Sequence, residues 1–99
     1  MENEKKNIAL VLGANGGIGS ESVDQLLKDN FRVYASYNSK KENLKKIKQS
    51  NPLSENLNIF KLDVTHEQEV KVRIQKVLEK EGSINTVILS VSSTYANSR

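Results

Sequence analysis

Residues 8–19 read Ile8-Ala9-Leu10-Val11-Leu12-Gly13-Ala14-Asn15-Gly16-Gly17-Ile18-Gly19, and the fold turns on how this stretch divides. Ile8 to Leu12 is an unbroken apolar run, the pattern of a strand buried on both faces. From Gly17 onward, Ile18, Val23, Leu26 and Leu27 recur at close to helical spacing. Between the two lies a glycine-rich turn. Glycine lets a chain reverse sharply and lets its backbone come close to a ligand. The helix that follows opens with free N–H groups and the positive end of its dipole. A strand, a glycine turn and a helix N-terminus in that order form an anion site, and the usual anion is a dinucleotide pyrophosphate.

Working outward, the chain alternates strands and helices. A first strand over Asn7–Leu12 and a helix from Gly17 to Lys28 are followed by a break at Asp29-Asn30. Phe31–Tyr37 carries the β-formers Phe31, Val33, Tyr34 and Tyr37. Ser39 and Glu42 have the spacing of a capping box, which predicts a second helix to about Gln49 with Leu44 and Ile47 inward. Ser50-Asn51-Pro52 breaks it. A third strand is expected over Asn58–Leu62. A second capping box, Thr65 to Gln68, opens a helix with Val70, Ile74, Val77 and Leu78 on one face. Gly82 stops that helix, and a fourth strand covers Thr86–Val91. This βαβαβαβ order implies an α/β fold with a parallel sheet and right-handed crossovers, and the strand order expected with the dinucleotide turn is 3-2-1-4. A nucleotide would lie across the switch point between strands one and four.

Composition narrows the class. The chain has 99 residues, no cysteine and a formal charge of +3. Without cysteine there is no disulfide framework and no thiolate metal site. The opening Met1-Glu2-Asn3-Glu4-Lys5-Lys6 is too charged for a signal peptide, and no apolar 18-mer follows, so a cytoplasmic protein without a membrane span is expected. Lys40-Lys41, Lys45-Lys46 and Lys48 form the densest basic stretch. Glu42 interrupts it and few aromatics accompany it, so it reads as a solvated helix face rather than a nucleic-acid surface. His66 is the sole histidine and falls in a first helical turn, facing solvent. No metal-ligand cluster is visible.

The glycines at 13, 17 and 19 do not fit the general G-x-G-x-x-G fingerprint; they read G-x-x-x-G-x-G. That spacing resembles the short-chain dehydrogenase/reductase family, whose loop is T-G-x-x-x-G-x-G, with Leu12 here in place of the family's Thr. Leu62-Asp63-Val64-Thr65 resembles the family's D-V-[ST] passage after strand three, and Ile84-Asn85-Thr86-Val87-Ile88 its I-D-x-L-V lead-in to strand four. Leu89-Ser90-Val91-Ser92 departs from the family's Asn-Asn-Ala-Gly. The nearest resemblance within the family is to 3-oxoacyl-[acyl-carrier-protein] reductases.

The resemblance implies a Rossmann-like cofactor-binding region and assigns roles. Gly13, Asn15, Gly16, Gly17, Ile18 and Gly19 would surround the pyrophosphate, with Asn15 also able to reach a 2′-phosphate. Asp63 would accept a hydrogen bond from the adenine amino group, with Val64 beside it. The small Ser90 and Ser92 would let the ribose approach. The tip of strand two, Ala35-Ser36-Tyr37-Asn38-Ser39-Lys40-Lys41, has no acid before Glu42. An acid there would select NAD and repel a 2′-phosphate; Ser36, Asn38, Lys40 and Lys41 favour NADP, with NAD as second choice.

In the family, a Tyr four residues before a Lys, helped by a Ser, moves the proton while hydride passes between nicotinamide and a carbonyl or alcohol. Those residues follow a fifth strand. Tyr95 and Arg99 copy the spacing, but they follow strand four at once and arginine is a poor proton relay, so no catalytic residue is assigned. Residues 1–99 therefore read as the N-terminal, NADP-binding part of a reductase, stopping before its catalytic segment, inactive alone, and a homo-oligomer in the parent protein. The alternatives are a non-catalytic dinucleotide-binding or cofactor-sensing module, and a small basic interaction domain with an empty glycine loop.

Overall fold

The computed structural model describes residues 6–90. The opening residues, Val91, Ser92 and the Tyr95–Arg99 pair fall outside the described residues. The elements run β1 (Ile8–Leu12), α1 (Gly17–Lys28), β2 (Arg32–Tyr37), α2 (Glu42–Ser50), a 3₁₀ turn (Ser54–Asn56), β3 (Leu57–Lys61), α3 (Glu67–Glu81) and β4 (Thr86–Leu89). All strand pairs are parallel, and the order is β3-β2-β1-β4, the order expected of a dinucleotide fold. The register pairs Val11 with Ala35, Leu12 with Leu89 and Tyr37 with Lys61. The strands therefore end together along one edge.

Strand β1 is buried at every position because it is central and helices cover both faces, which is why it reads as a continuous apolar run. On one face Ala9, Val11, Val33, Ala35 and Leu57 pack against Val23 and Leu27 of α1 and Leu44 of α2. On the other, Ile8, Leu10, Leu12, Tyr34 and Leu62 pack against Val77, with Val70 and Ile74 of α3 beside them. Truncating a wholly buried leucine such as Leu10 or Leu44 would cost about 2–5 kcal/mol. Strand β4 alternates: Ile88 joins the α1 side, while Val87 and Leu89 are exposed. Leu78 is also more exposed than its place in the helical pattern implies.

Neither capping box forms. The N-cap of α2 is Lys41, and no side chain of its own segment bonds the first turn. The oxygen that does so belongs to Asn15, which accepts from the N–H groups of Asn43 (2.9 Å) and Leu44 (3.3 Å). At α3 the N-cap is His66, not Thr65. Thr65 is held one step earlier: its N–H and hydroxyl both donate to Asp63 Oδ1, at 3.0 and 2.6 Å, in an Asx turn. Gly82 ends α3 as expected, with φ of 87°.

The segment between α2 and β3 is more ordered than a helix break implies. Asn51 is buried; its amide donates to Asp24 Oδ1 at 2.7 Å and accepts from Leu53 N–H at 2.8 Å. Lys48 Nζ donates to the carbonyls of Ser54 and Leu57. These bonds set the 3₁₀ turn and start β3 one residue earlier than the hydrophobic pattern suggests.

Candidate dinucleotide site

The glycine loop, the Asn38–Lys41 segment, the Asp63–Val64 segment and Ser90 all follow strand ends, so parallel pairing brings them to the same edge of the sheet. Backbone bonds continue the ladders there: Ser90 N–H donates to Leu12 at 2.9 Å, and Leu62 N–H to Tyr37 at 2.8 Å. This is the edge at which open α/β sheets hold ligands, beside the point where the chain switches from one face to the other.

The glycines divide into two kinds. Gly13 has φ of +72°, and a Cβ there would overlap the Ser90 carbonyl oxygen. At Gly19 a Cβ would press on Ala14 and Ser90 where α1 packs against the strands. The fold itself demands both. Gly16 and Gly17 differ: nothing lies within 4 Å of a Cβ at either position, and neither has positive φ. Protein packing gives no reason for glycine there. The open space lies at the start of α1, which has no side-chain cap and no acidic residue in its first turn. The first N–H groups of a helix have no partner within it. An uncapped helix N-terminus facing a space that side chains would fill fits a pyrophosphate. Ile18, 76% exposed, stands at the rim of that space.

The loop is held rigidly from behind. Ser36, wholly buried in β2, accepts the Gly13 N–H through its hydroxyl at 2.9 Å, and its carbonyl accepts Ala14 N–H at 2.7 Å. This supplies a brace to a turn that has Leu12 where the family's Thr would stand. Asn15 is engaged by α2 on both sides of its peptide: its side-chain oxygen takes the two α2 N–H groups, and its backbone carbonyl accepts from Asn43 Nδ2 at 2.7 Å.

Asn38, Ser39, Lys40 and Lys41 are exposed at the tip of β2. Lys41 Nζ sits 5.4 Å from the centre of the Tyr37 ring, a cation–π distance. Lys40 and Lys41 thus place positive charge at the tip of β2. Asp63 is half-buried, with the Thr65 hydroxyl and N–H, and then nearby His66, holding its carboxyl below the usual range. Its Oδ2 lies 3.7 Å from His66 Nε2. Val64 packs into the α3-side core. Ser90 sits against Gly13 and Gly19. Its smallness therefore serves the packing of α1, whatever else approaches it.

Two participants are not among the expected site residues. Asn43 is joined to Asn15 across 28 positions, a distance at which no pattern rule operates. Thr65 follows Asp63 at the Asx-turn spacing, a signal that competes with the capping-box reading and prevails. Among the described residues no group of His, Asp and Glu could hold a metal, and no helix is long and apolar enough to cross a membrane.

Comparison with solved structures places the same architecture in larger proteins. ElxO with NADP bound superposes with a TM-score of 0.75 at 25% identity, over 86% of this chain and 34% of that one. A single-residue variant of ElxO with NADPH bound gives 0.71 at 29% identity, over 83% and 33%. Menthone neomenthol reductase from Mentha piperita shares the fold, with a TM-score of 0.75 at 23% identity over 90% and 32%. The chain thus spans about a third of the length of these structures. No curated protein sequence matches it. Residues 7–98 match the short chain dehydrogenase family; with the glycine loop, the strand order and the open helix N-terminus in agreement, the chain belongs to that family.

Proposed function

We propose that this chain is the NADP(H)-binding portion of an oxidoreductase that transfers a hydride between nicotinamide and a carbonyl or alcohol substrate. The observation that carries this reading is the pair Gly16 and Gly17. They are glycines that the fold does not require, set before an uncapped helix in a space a Cβ would occupy. In this reading the backbone of residues 16–19 binds the pyrophosphate. Asp63, kept ionised by Thr65, accepts the adenine amino group with its remaining oxygen. Lys40 and Lys41 meet the 2′-phosphate, with Asn38 beside them. The nicotinamide supplies the hydride chemistry. The described residues hold the cofactor and exclude side chains from its path.

NADP over NAD is supported by the acid-free tip of β2 and by the NADP- and NADPH-bound ElxO structures at 25% and 29% identity. Within the family, the nearest sequence resemblance is to reductases of the 3-oxoacyl-[acyl-carrier-protein] type, and theirs is the substrate class proposed. A cytoplasmic setting, a small-molecule substrate and assembly with further copies belong to the same proposal. The test is calorimetric titration of the chain with NADPH and NADH. Tighter binding of NADPH, reduced to the NADH level in Lys40→Ala/Lys41→Ala, is expected. Equal affinities in the unmodified chain would remove the NADP assignment, and binding of neither would remove the cofactor reading.

A further inference from the structure

We infer that Asn15 is a positioning residue for 2′-phosphate recognition, acting through α2 rather than by touching the phosphate. The inference rests on the NADP(H) reading above. Helix α2 follows directly on Lys40 and Lys41, so whatever sets the position of its first turn sets theirs. Normally an N-cap side chain does this locally by accepting the N–H of the second or third helical residue. Lys41 occupies the N-cap here and has no acceptor to offer. Ser39, the nearest hydroxyl, makes no such bond.

The acceptor comes from the glycine loop. Asn15 Oδ1 takes the N–H of Asn43 at 2.9 Å and of Leu44 at 3.3 Å, the second and third residues of α2. Asn43 Nδ2 returns a bond to the Asn15 carbonyl at 2.7 Å. Leu44 is fully buried in the α1-side core, so the helix cannot tilt freely about this point. Behind Asn15, Gly13 and Ala14 are bonded to Ser36. The pyrophosphate turn and the lysine segment are therefore one hydrogen-bonded body. Only an amide or carboxylate of this length offers an acceptor that reaches both N–H groups, and only the amide does so without adding negative charge beside phosphates.

The consequence is a specific kind of selectivity loss. Asn15→Ala frees the first turn of α2 and the two lysines with it, while leaving the open glycines in place. Asn43→Ala removes only the return bond to the Asn15 carbonyl and keeps both N–H bonds to Asn15 Oδ1. The experiment measures NADPH and NADH dissociation constants for the full chain and both variants, together with amide hydrogen exchange at Asn43 and Leu44 without cofactor. Exchange at Leu44 should accelerate in Asn15→Ala and be restored in Asn15→Asp, which keeps the acceptor. The NADPH-to-NADH preference should fall roughly five- to tenfold in Asn15→Ala, the effect of one lost cap, and by less in Asn43→Ala, where the cap remains. Equal weakening of both cofactors in Asn15→Ala, or a loss of preference in Asn43→Ala as large as in Asn15→Ala, would overturn the inference while leaving the NADP(H) reading intact. An unmodified chain that binds neither cofactor would overturn that reading and this inference together. Unchanged exchange in Asn15→Ala would overturn the inference alone.

Discussion

At the amino end of the parallel sheet, Arg32 at the start of β2 and Glu81 at the end of α3 are joined at 2.8 Å, and Tyr34 donates its hydroxyl to the same carboxylate. Asn85 closes the neighbouring gap by accepting Ile8 N–H at 2.8 Å. At the carboxyl end, Gly16, Gly17 and Ile18 stand open and α1 begins without a cap. The amino end is closed by its polar groups, whereas at the carboxyl end the paired groups of the loop surround a helix start that stays open. Glu81 is 7% exposed and Arg32 39%, so the pair is part-shielded and hydrogen-bonded rather than a loose surface contact. The contrast teaches that the amino-end closure and the open glycines can be broken separately, although Gly13 and Gly19, in the same loop as the open pair, are required by the fold.

The largest effect is expected within the glycine loop, where the comparison can be broken most directly. Gly13→Val combines positive φ with overlap on the Ser90 carbonyl, and should lower unfolding stability by at least about 3 kcal/mol in a denaturant titration. Gly17→Ala should leave stability unchanged or raise it by about 0.4–1 kcal/mol, yet weaken NADPH binding at least tenfold. If Gly17→Ala destabilised the chain as Gly13→Val does, the open glycine would be a fold requirement and the contrast would collapse.

At the other end, Glu81→Gln should lower stability by about 1–3 kcal/mol, the usual effect of losing a shielded charged hydrogen bond. NADPH affinity should stay within twofold by calorimetry. A large change in affinity would show that the two ends are coupled.

How pH acts on the amino end sharpens the picture at smaller amplitude. Burial alone would raise the Glu81 pKa, but the bonds from Tyr34 and Arg32 outweigh it and hold it below the usual 4.5. Its contribution is present above that value and is lost as pH falls through the lower folded value. Tyr34 runs the opposite way: burial first, then the bond to Glu81, pushes it from 10.0 up to about 12. That contribution is intact below 10.0 and lost as pH rises through about 12. Thermal melts across pH should show both limbs. Tyr34→Phe should erase the alkaline limb, and its persistence would place the titrating group elsewhere.

Much of the carboxyl end was legible in the sequence because its signals are local. The run Ile8–Leu12, the glycines and the helical spacing after Gly17 each lie within one window, and as a dinucleotide fingerprint they carry the 3-2-1-4 strand order with them. Gly82 announced its left-handed cap. The closures between elements were not legible. Nothing near Ser39 reveals that Asn15 will cap α2 in its place, and nothing near Arg32 points to Glu81, 49 positions away. Ser36 reads as a polar group for a ligand because it lies in the acid-free end of strand two; burial makes it a brace for Gly13. The Thr65 box failed because the competing Asx turn is also local and satisfies the Thr65 N–H and hydroxyl together.

Gly16 and Gly17 also carry a thermodynamic consequence. An unfolded glycine explores far more backbone conformations than any other residue, and here two adjacent ones are confined to ordinary angles without any side-chain contact in return. The ligand-free chain is thus held below the stability its sheet could support, by a loss of conformational freedom written into the loop. A molecule that binds only the folded loop reverses the balance by mass action, adding about 2.7 kcal/mol at a hundredfold excess over its dissociation constant. The survival of the folded chain in a cell would then track the supply of its cofactor.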